Sequence, residues 1–528
     1  MKETERVELT PKDIAGLLQR LETHPLSDED LSTIRAIVKT YLLVIQSLQD
    51  KKTTIKKLLG MLFGAKTEKA KTVLAKIAFA KSSTDEEVKA AKGFCEKPRG
   101  HGRNGASAYT GAEKFRVPHP SMKTGAKCPG CELGKVYPLA EPGVVIRITG
   151  GAPLQSQVWE TEKLRCNLCG EIFTAPLPEE IGTEKYDETA GAMVPLLRYG
   201  TGMPFNRVEQ LQESMGCPLP ASTQWEIANN TAKRGPSSVY DELIRQAAQG
   251  RVIHNDDTPM KILTMLGENS DGRSGIFTTG MVSIVDDKKI VLFCTGRNHA
   301  GENMAELLRQ RDPQAAPPIQ MCDALSRNTS KEFTTILGNC LAHGRRNFVD
   351  VAGSFPEEST HVIEALAEVY KNDAIVKEEK MTPSERLQYH QAHSGPLMKQ
   401  LHEWMTDQMD NGKTEPNSGL GKAVLYMLKH WNPLTLFLRV QEAPLDNNIC
   451  ERSLKRAILH RRNSLFYKTL RGARVGDIFM SLIHTCKMQN INPFDYLVAL
   501  QKHHVKVSIN PRQWLPWNYK AAIAASSA

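Results

Sequence analysis

RVIHNDDTP, residues 251–259, and PPIQMCD, residues 317–323, are the stretches that decide the fold of this chain. Each is a short apolar run closing on an acid: Val252 and Ile253 lead to Asp256 and Asp257, and Ile319 and Met321 lead to Asp323. Between them, residues 275–285 and 290–295 read as two strands joined at Asp286-Asp287-Lys288-Lys289, and residues 301–311 carry a helical pattern. Three antiparallel strands, a helix and a further strand form the opening order of a ribonuclease-H-like domain. In that layout Asp256 leaves the first strand and Asp323 the fourth, so adjacent strand ends can bring the two carboxylates together.

Clustered acids suit phosphodiester chemistry. An attacking oxygen must lose its proton and a leaving oxygen must be neutralised, and two divalent ions about 4 Å apart supply both. Hard Mg2+ takes oxygen ligands and is held by a few carboxylates that leave positions for water and phosphate. A third acid has to come from elsewhere in the chain, and Glu451 is assigned to it, at the start of a helix that also carries Arg452, Lys455 and Arg456. Other readings stay open here. Aspartates after strands often serve turns and caps, Asp257 competes with Asp256, and Glu451 has the spacing to pair with Lys455 along the helix.

Outward from this core, residues 246–353 are read as the first part of the catalytic domain, 354–433 as a helical insertion, 434–500 as the remainder and 501–528 as a tail. Upstream, residues 176–245 are helical. Two stretches there flank Gly216-Cys217-Pro218, with Thr223 and Trp225 early in the second, a pattern shared by DNA-binding helix-turn-helix units and by ordinary helical hairpins. In residues 128–175, Cys128-Pro-Gly-Cys131 and Cys166-Asn-Leu-Cys169 form paired CxxC turns. Four thiolates so arranged close a structural zinc shell and leave no open position for catalysis. Residues 93–127 are a basic Gly/Pro linker in which Arg99 and Arg103 either track a phosphate backbone or only keep it soluble.

In residues 1–92, apolar side chains recur at spacings of three and four from Leu31 to Leu62, interrupted only at Lys52. That pattern predicts a coiled-coil-like helix that pairs chains, or a long helix packed on its own protein. Residues 51–81 hold nine lysines, either a solvated face or a DNA-contacting one.

At 528 residues the chain needs several domains. No apolar run approaches the roughly 18 residues of a membrane span. The start, MKETERVELTPKD, lacks the apolar core of a secretory signal, so a cytoplasmic location is expected. Eleven cysteines, an odd number, fit free thiols and a metal site better than a disulfide framework. A net charge of +9 leaves a polyanionic partner open.

The strings His254-Asn255-Asp256-Asp257-Thr258-Pro259, Cys340-Leu341-Ala342-His343-Gly344-Arg345-Arg346-Asn347-Phe348, and the block from Asp446 through Arg461-Arg462-Asn463-Ser464-Leu465-Phe466 resemble transposases of insertion-sequence family 66. Leu62-Phe63-Gly64, Gly100-His101-Gly102-Arg103, the CxxC pairs, Asn492-Pro493-Phe494-Asp495-Tyr496-Leu497 and Leu515-Pro516-Trp517 follow in the order that family shows, so the resemblance spans almost the full chain. The chain departs from the family's pattern at Asp257, where Glu is usual, at Leu341, where Trp is usual, and at Arg462, where Lys is usual.

The resemblance implies a DDE transposase. Asp256, Asp323 and Glu451 are its catalytic acids and the ligands of two Mg2+ (or Mn2+) ions, with Asp256 bridging them. Structural Zn2+ is implied at Cys128, Cys131, Cys166 and Cys169. DNA at the element ends and at the target is the implied partner, contacted by His343, Arg345, Arg346, Arg452, Arg456 and Arg462, although Arg345 and Arg346 could equally form ion pairs and His343 could be a core histidine. A homo-oligomer on DNA, small accessory proteins of the same element and a place beside the bacterial nucleoid are further implications. The rival expectation is a catalytically inactive, domesticated zinc-containing DNA-binding regulator.

Overall fold

The computed structural model describes residues 120, 123–131, 133–137, 147–148, 150–165, 167, 172–178, 184–266 and 273–527. The chain divides into two compact units, Met1–Ser83 and Thr84–Ala528, and every described residue belongs to the second. The predicted coiled-coil segment, Arg99, Arg103, Cys166 and Cys169 lie outside the described residues.

Strands β1 (Lys163–Arg165) and β2 (Ile172–Thr174) form a small antiparallel pair with Lys163 opposite Thr174. Four helices follow: α1 (Glu188–Pro195), α2 (Phe205–Ser214), α3 (Ala221–Lys233) and α4 (Pro236–Ala247). The Asp187 carboxylate caps α1 by accepting from the Ala190 N–H at 2.9 Å. Helices α2 and α3 are joined by a turn through Gly216, whose φ of 74° is open to glycine. The buried Gln224 amide staples that turn, donating to the carbonyls of Phe205 at 3.0 Å and Leu219 at 2.8 Å.

The centre is a five-stranded mixed sheet of β3 (Val252–Pro259), β4 (Phe277–Val285), β5 (Lys288–Gly296), β6 (Ile319–Cys322) and β7 (Ile336–Asn339), in the order β5-β4-β3-β6-β7. The first three are antiparallel, and β6 and β7 add in parallel on the far side of β3. Helix α5 (Ala300–Leu308) makes the crossover from β5 to β6. Ile253, Met281, Val282 and the run from Ile290 to Phe293 are buried in the sheet, as their apolar side chains require.

The first strand runs past Asn255, where the sequence reading ended it. Antiparallel pairing with β4 carries β3 on to Pro259 opposite Phe277, whereas parallel pairing with β6 stops at His254 opposite Met321. Asp256 therefore sits inside a strand that has one neighbour at that level, and it does not leave the strand's end.

Helices α6 (Leu341–Val351), α7 (Pro356–Glu378), α8 (Pro383–Tyr389), α9 (Gly395–Asp410) and α10 (Gly419–Lys429) follow the sheet. The chain then returns through α11 (Asn448–Ser464), α12 (Leu470–Met488) and α13 (Pro493–Lys502). Helix α11 lies against one face of β3 and β4, and α4 and α5 lie against the other.

Helix α12 closes the sheet edge. Strand β5 would otherwise present unpaired N–H groups, a template for unwanted pairing. Thr485 accepts from Val291 N–H at 3.0 Å, Ser481 from Phe293 N–H at 2.9 Å and Asp477 from Thr295 N–H at 2.8 Å. Side chains four apart on a helix advance about 6 Å, close to the roughly 6.7 Å between alternate residues of a strand, so one helix row matches one strand edge. Among the described residues no helix is long and apolar enough to cross a membrane.

Candidate active site on one face of the sheet

Side chains alternate along β3, so His254 and Asp256 face α11 while Asn255 and Asp257 face α5. The register that sets Val252 against Ile319 and His254 against Met321, continued by two residues, sets Asp256 beside Asp323. Neighbouring strands are about 4.8 Å apart, so the two carboxylates emerge side by side. Asp323, immediately after β6, is held in a tight loop. Its Oδ1 accepts from Leu325 N–H at 3.2 Å and from the Asn328 amide at 2.5 Å.

Glu451 arrives on the first turn of α11, and three contacts place that turn. Asn447, fully buried, donates its amide to the Asn255 carbonyl at 3.1 Å, and its Oδ1 lies 3.0 Å from His254 Nδ1. Its backbone N–H donates to Cys340 Sγ at 3.2 Å. One turn on, the Cys450 thiol donates to the Gly280 carbonyl at 3.2 Å. Gly280 is the antiparallel partner of Asp256, and a Cβ there would stand 2.8 Å from Leu454 Cγ. The missing side chain is what lets α11 lie this close to the acid-bearing strand.

The electrostatics agree with this geometry. The Asp256 carboxyl is pushed up to about 7, chiefly by burial, with the charges of Asp323, Asp257 and Glu451 adding to the rise and a hydrogen bond from Asp257 N–H opposing it. His343 Nδ1, on α6, lies 3.7 Å from Glu451 Oε1, and both atoms are buried without a hydrogen-bond partner. Three half-buried acids with unpaired oxygens are a donor set that fits hard divalent cations. Cys340, His343 and Glu451 also offer ligand atoms within 4.8 Å of one another. The Cys340 thiol is pushed up to about 12 by burial and already accepts from Asn447 N–H, and as a soft ligand it suits a hard cation such as Mg2+ less well than the carboxylates do.

Asp257 serves a different purpose. With its side chain fully buried, it takes the N-terminus of α5, accepting from Ala300 N–H at 3.3 Å, and lies 3.3 Å from both His299 Nδ1 and Arg327. Behind it, Asn255 donates to the Asn328 carbonyl at 2.7 Å and accepts from Gln320 at 3.0 Å, which ties β3, β6 and the loop after Asp323 into one buried amide network.

The remaining predicted contacts are dispersed. Arg452, Arg456 and Arg462 are exposed on α11, Arg345 is buried, Arg346 and Thr223 are half-buried. Cys128 and Cys131 sit in a hairpin in which Cys128 N–H bonds the Gly134 carbonyl at 2.8 Å and Gly134 N–H points at Cys131 Sγ at 3.5 Å. The Cys131 thiol is lowered by backbone hydrogen bonds from Gly134 and Leu133 and by Cys128. Asn447 and Gly280 did not stand out in the sequence. Asn447 adjoins Glu451 in the DNN run of residues 446–448, and Gly280 interrupts an otherwise apolar and β-branched strand, which is a signal for close approach.

Two acids lie side by side on a mixed sheet, with a third supplied by a helix, and comparison with known proteins gives the family. Residues 185–475 match the family model described as Transposase IS66 family, more than half of the chain, and the protein belongs to that family. Two uncharacterized proteins of Sinorhizobium fredii are similar to it. One, y4jD, is 34% identical over 38% of this chain and 39% of its own length. The other, y4hP, is 25% identical over 78% of this chain and 76% of its own length. The chain thus spans well under half of the first relative and about three quarters of the second.

Proposed function

We propose that this protein cuts the ends of its mobile element and joins them to target DNA, with Asp256, Asp323 and Glu451 as the catalytic acids of a ribonuclease-H-like core. The observation that carries the reading is Asp256 lying beside Asp323, two residues past the last β3–β6 pair, beneath the first turn of α11. Divalent cations held there, Mg2+ or Mn2+, would supply charge neutralisation at the phosphate and activation of the attacking hydroxyl. The chain's own residues do the rest. Asp256, central among the acids, would hold the cations together with Asp323 and Glu451. His343 lies beside the Glu451 carboxylate, with its Nδ1 3.7 Å from Oε1. Arg452, Lys455, Arg456 and Arg462 lie on one exposed side of α11, a row that suits a phosphate backbone running away from the acids.

The Cys128–Cys131 hairpin, with one thiol already lowered, supports a structural zinc completed by Cys166 and Cys169. Helices α2 and α3 are proposed as an end-recognition unit, and residues 1–92 as the segment that pairs copies on DNA. Cleavage of a duplex carrying the element's end, in Mg2+, tests the reading. The wild type should nick at the end, and Asp256→Asn, Asp323→Asn and Glu451→Gln should each lose at least about 10³-fold in rate, the scale of removing a central electrostatic contributor. DNA binding without cleavage by the wild type would instead fit a catalytically silent regulator.

A further inference from the structure

The far end of α11 carries a feature that the proposed chemistry leaves unused. At its C-terminus Leu465 adopts a φ of 64°, a left-handed conformation that L side chains avoid and that persists only where the surroundings impose it. Here they do. Asn463 donates to the Gly202 carbonyl at 2.9 Å, and Arg198 bonds the Ser464 hydroxyl. On the other side Tyr467, buried and stacked on His460, donates its N–H to the Lys261 carbonyl and accepts from Leu263 N–H, each at 2.9 Å. Between these anchors the chain holds two apolar side chains out to solvent, Leu465 at 64% and Phe466 at 40% exposure.

Leu263 and Leu470, from the two segments that meet at Tyr467, are exposed as well. A rigid, strained loop with an apolar tip is costly in water, and its setting is strongly cationic. From residue 452 to residue 471 there are seven lysines and arginines and no acid.

We infer that Leu465 and Phe466 form an apolar wedge that enters the base stack of bound DNA. Apolar side chains between base steps are a known way for a protein to unstack and kink a duplex, and the cations around the tip give the charge complementarity that a nucleic acid requires. The inference rests on the DNA reading above and adds a position to it. The tip lies fourteen residues beyond Glu451 on one helix, about 21 Å at 1.5 Å per residue, or about six base steps at 3.4 Å. DNA cut at the acids would therefore be distorted about half a turn away.

The test is sequence-independent: the full chain, in Ca2+, titrated into labelled 30-base-pair duplexes that are either fully paired or carry a tandem mismatch. Mismatched bases cost less to unstack, so the wild type should prefer the mismatched duplex by about ten-fold. A double variant, Leu465→Ser with Phe466→Ser, should lose that preference while keeping its affinity for the paired duplex. Leu465→Gly, which accepts the positive φ without strain, should weaken the preference and leave the thermal midpoint in place.

Equal binding of both duplexes by the wild type, or a preference that survives in the double variant, overturns the wedge. An altered oligomeric mass in the double variant with unchanged mismatch preference also overturns it and assigns the tip to a second copy. If the wild type cleaves element ends yet shows no mismatch preference, only the wedge fails; if it neither binds nor cleaves DNA, the proposed function fails with it.

Discussion

Asp256 and Asp257 are consecutive carboxylates with opposite surroundings because a strand turns successive side chains to opposite faces. Asp256 meets other acids and Asp257 meets a helix N-terminus and an arginine. Substitution should separate them. Asp256→Asn should abolish cleavage while leaving stability equal or improved, since it removes like-charge repulsion. Asp257→Asn should lower stability by about 1–3 kcal/mol, the cost of weakening a buried charge-assisted contact, and retain cleavage by the folded fraction. Paired measurements of urea midpoint and nicking rate check this, and the reverse pattern would exchange the two roles. Strand pattern alone left Asp257 in competition with Asp256, because the choice depends on which face is covered by a helix nearly 200 residues downstream; the family resemblance favoured Asp256.

At the scale of elements, the approach of α11 to β4 depends on Gly280. Gly280→Ala should drive Leu454 and the helix outward and move Glu451, with a loss of about 10²-fold in cleavage, the scale of a misplacement near 1 Å. Adding Leu454→Ala should recover most of that loss, and failure to recover would mean that the helix is placed by other contacts. The edge cap gives a pH test. The Asp477 carboxyl is pushed up to about 7, chiefly by burial, against the lowering effect of its bonds to Thr295.

Because this folded value exceeds that of the unfolded chain, the folded protein holds a proton that the unfolded one releases. The associated stability is complete below about pH 4 and is lost as pH rises to 7. Asp477→Asn removes that dependence, so its urea midpoint relative to wild type should rise between pH 5 and 7.5; a constant difference would mean that the group titrates normally. Asp477, Ser481 and Thr485 stand at four-residue spacing on α12, but the sequence reading did not single them out, because their partner, a bare strand edge, is a property of the assembled sheet.

For the whole molecule, the legible features were those set by local pattern: short apolar runs leading to acids, helical sequence such as Pro356–Glu378 and Gly395–Asp410, and the order of elements from residue 251 to 323. The extent of β3 was not legible, because its last residues are strand only through pairing with β4. The site depends on long-range contacts of the same kind. Asn447 binds backbone 192 positions upstream, and Cys340 and Asn447 meet across 107, so α6 and α11 reach the acids only when the sheet is complete.

The proposed function requires the three acids to act as a single cation site, and electron paramagnetic resonance of added Mn2+ tests it most directly. At pH 7.5 the account expects two spin-coupled Mn2+ per wild-type chain, with the coupled signal lost in Asp256→Asn and a single uncoupled ion remaining at most in Asp323→Asn or Glu451→Gln. Uncoupled Mn2+ in the wild type, or a coupled pair that survives Asp256→Asn, would contradict it.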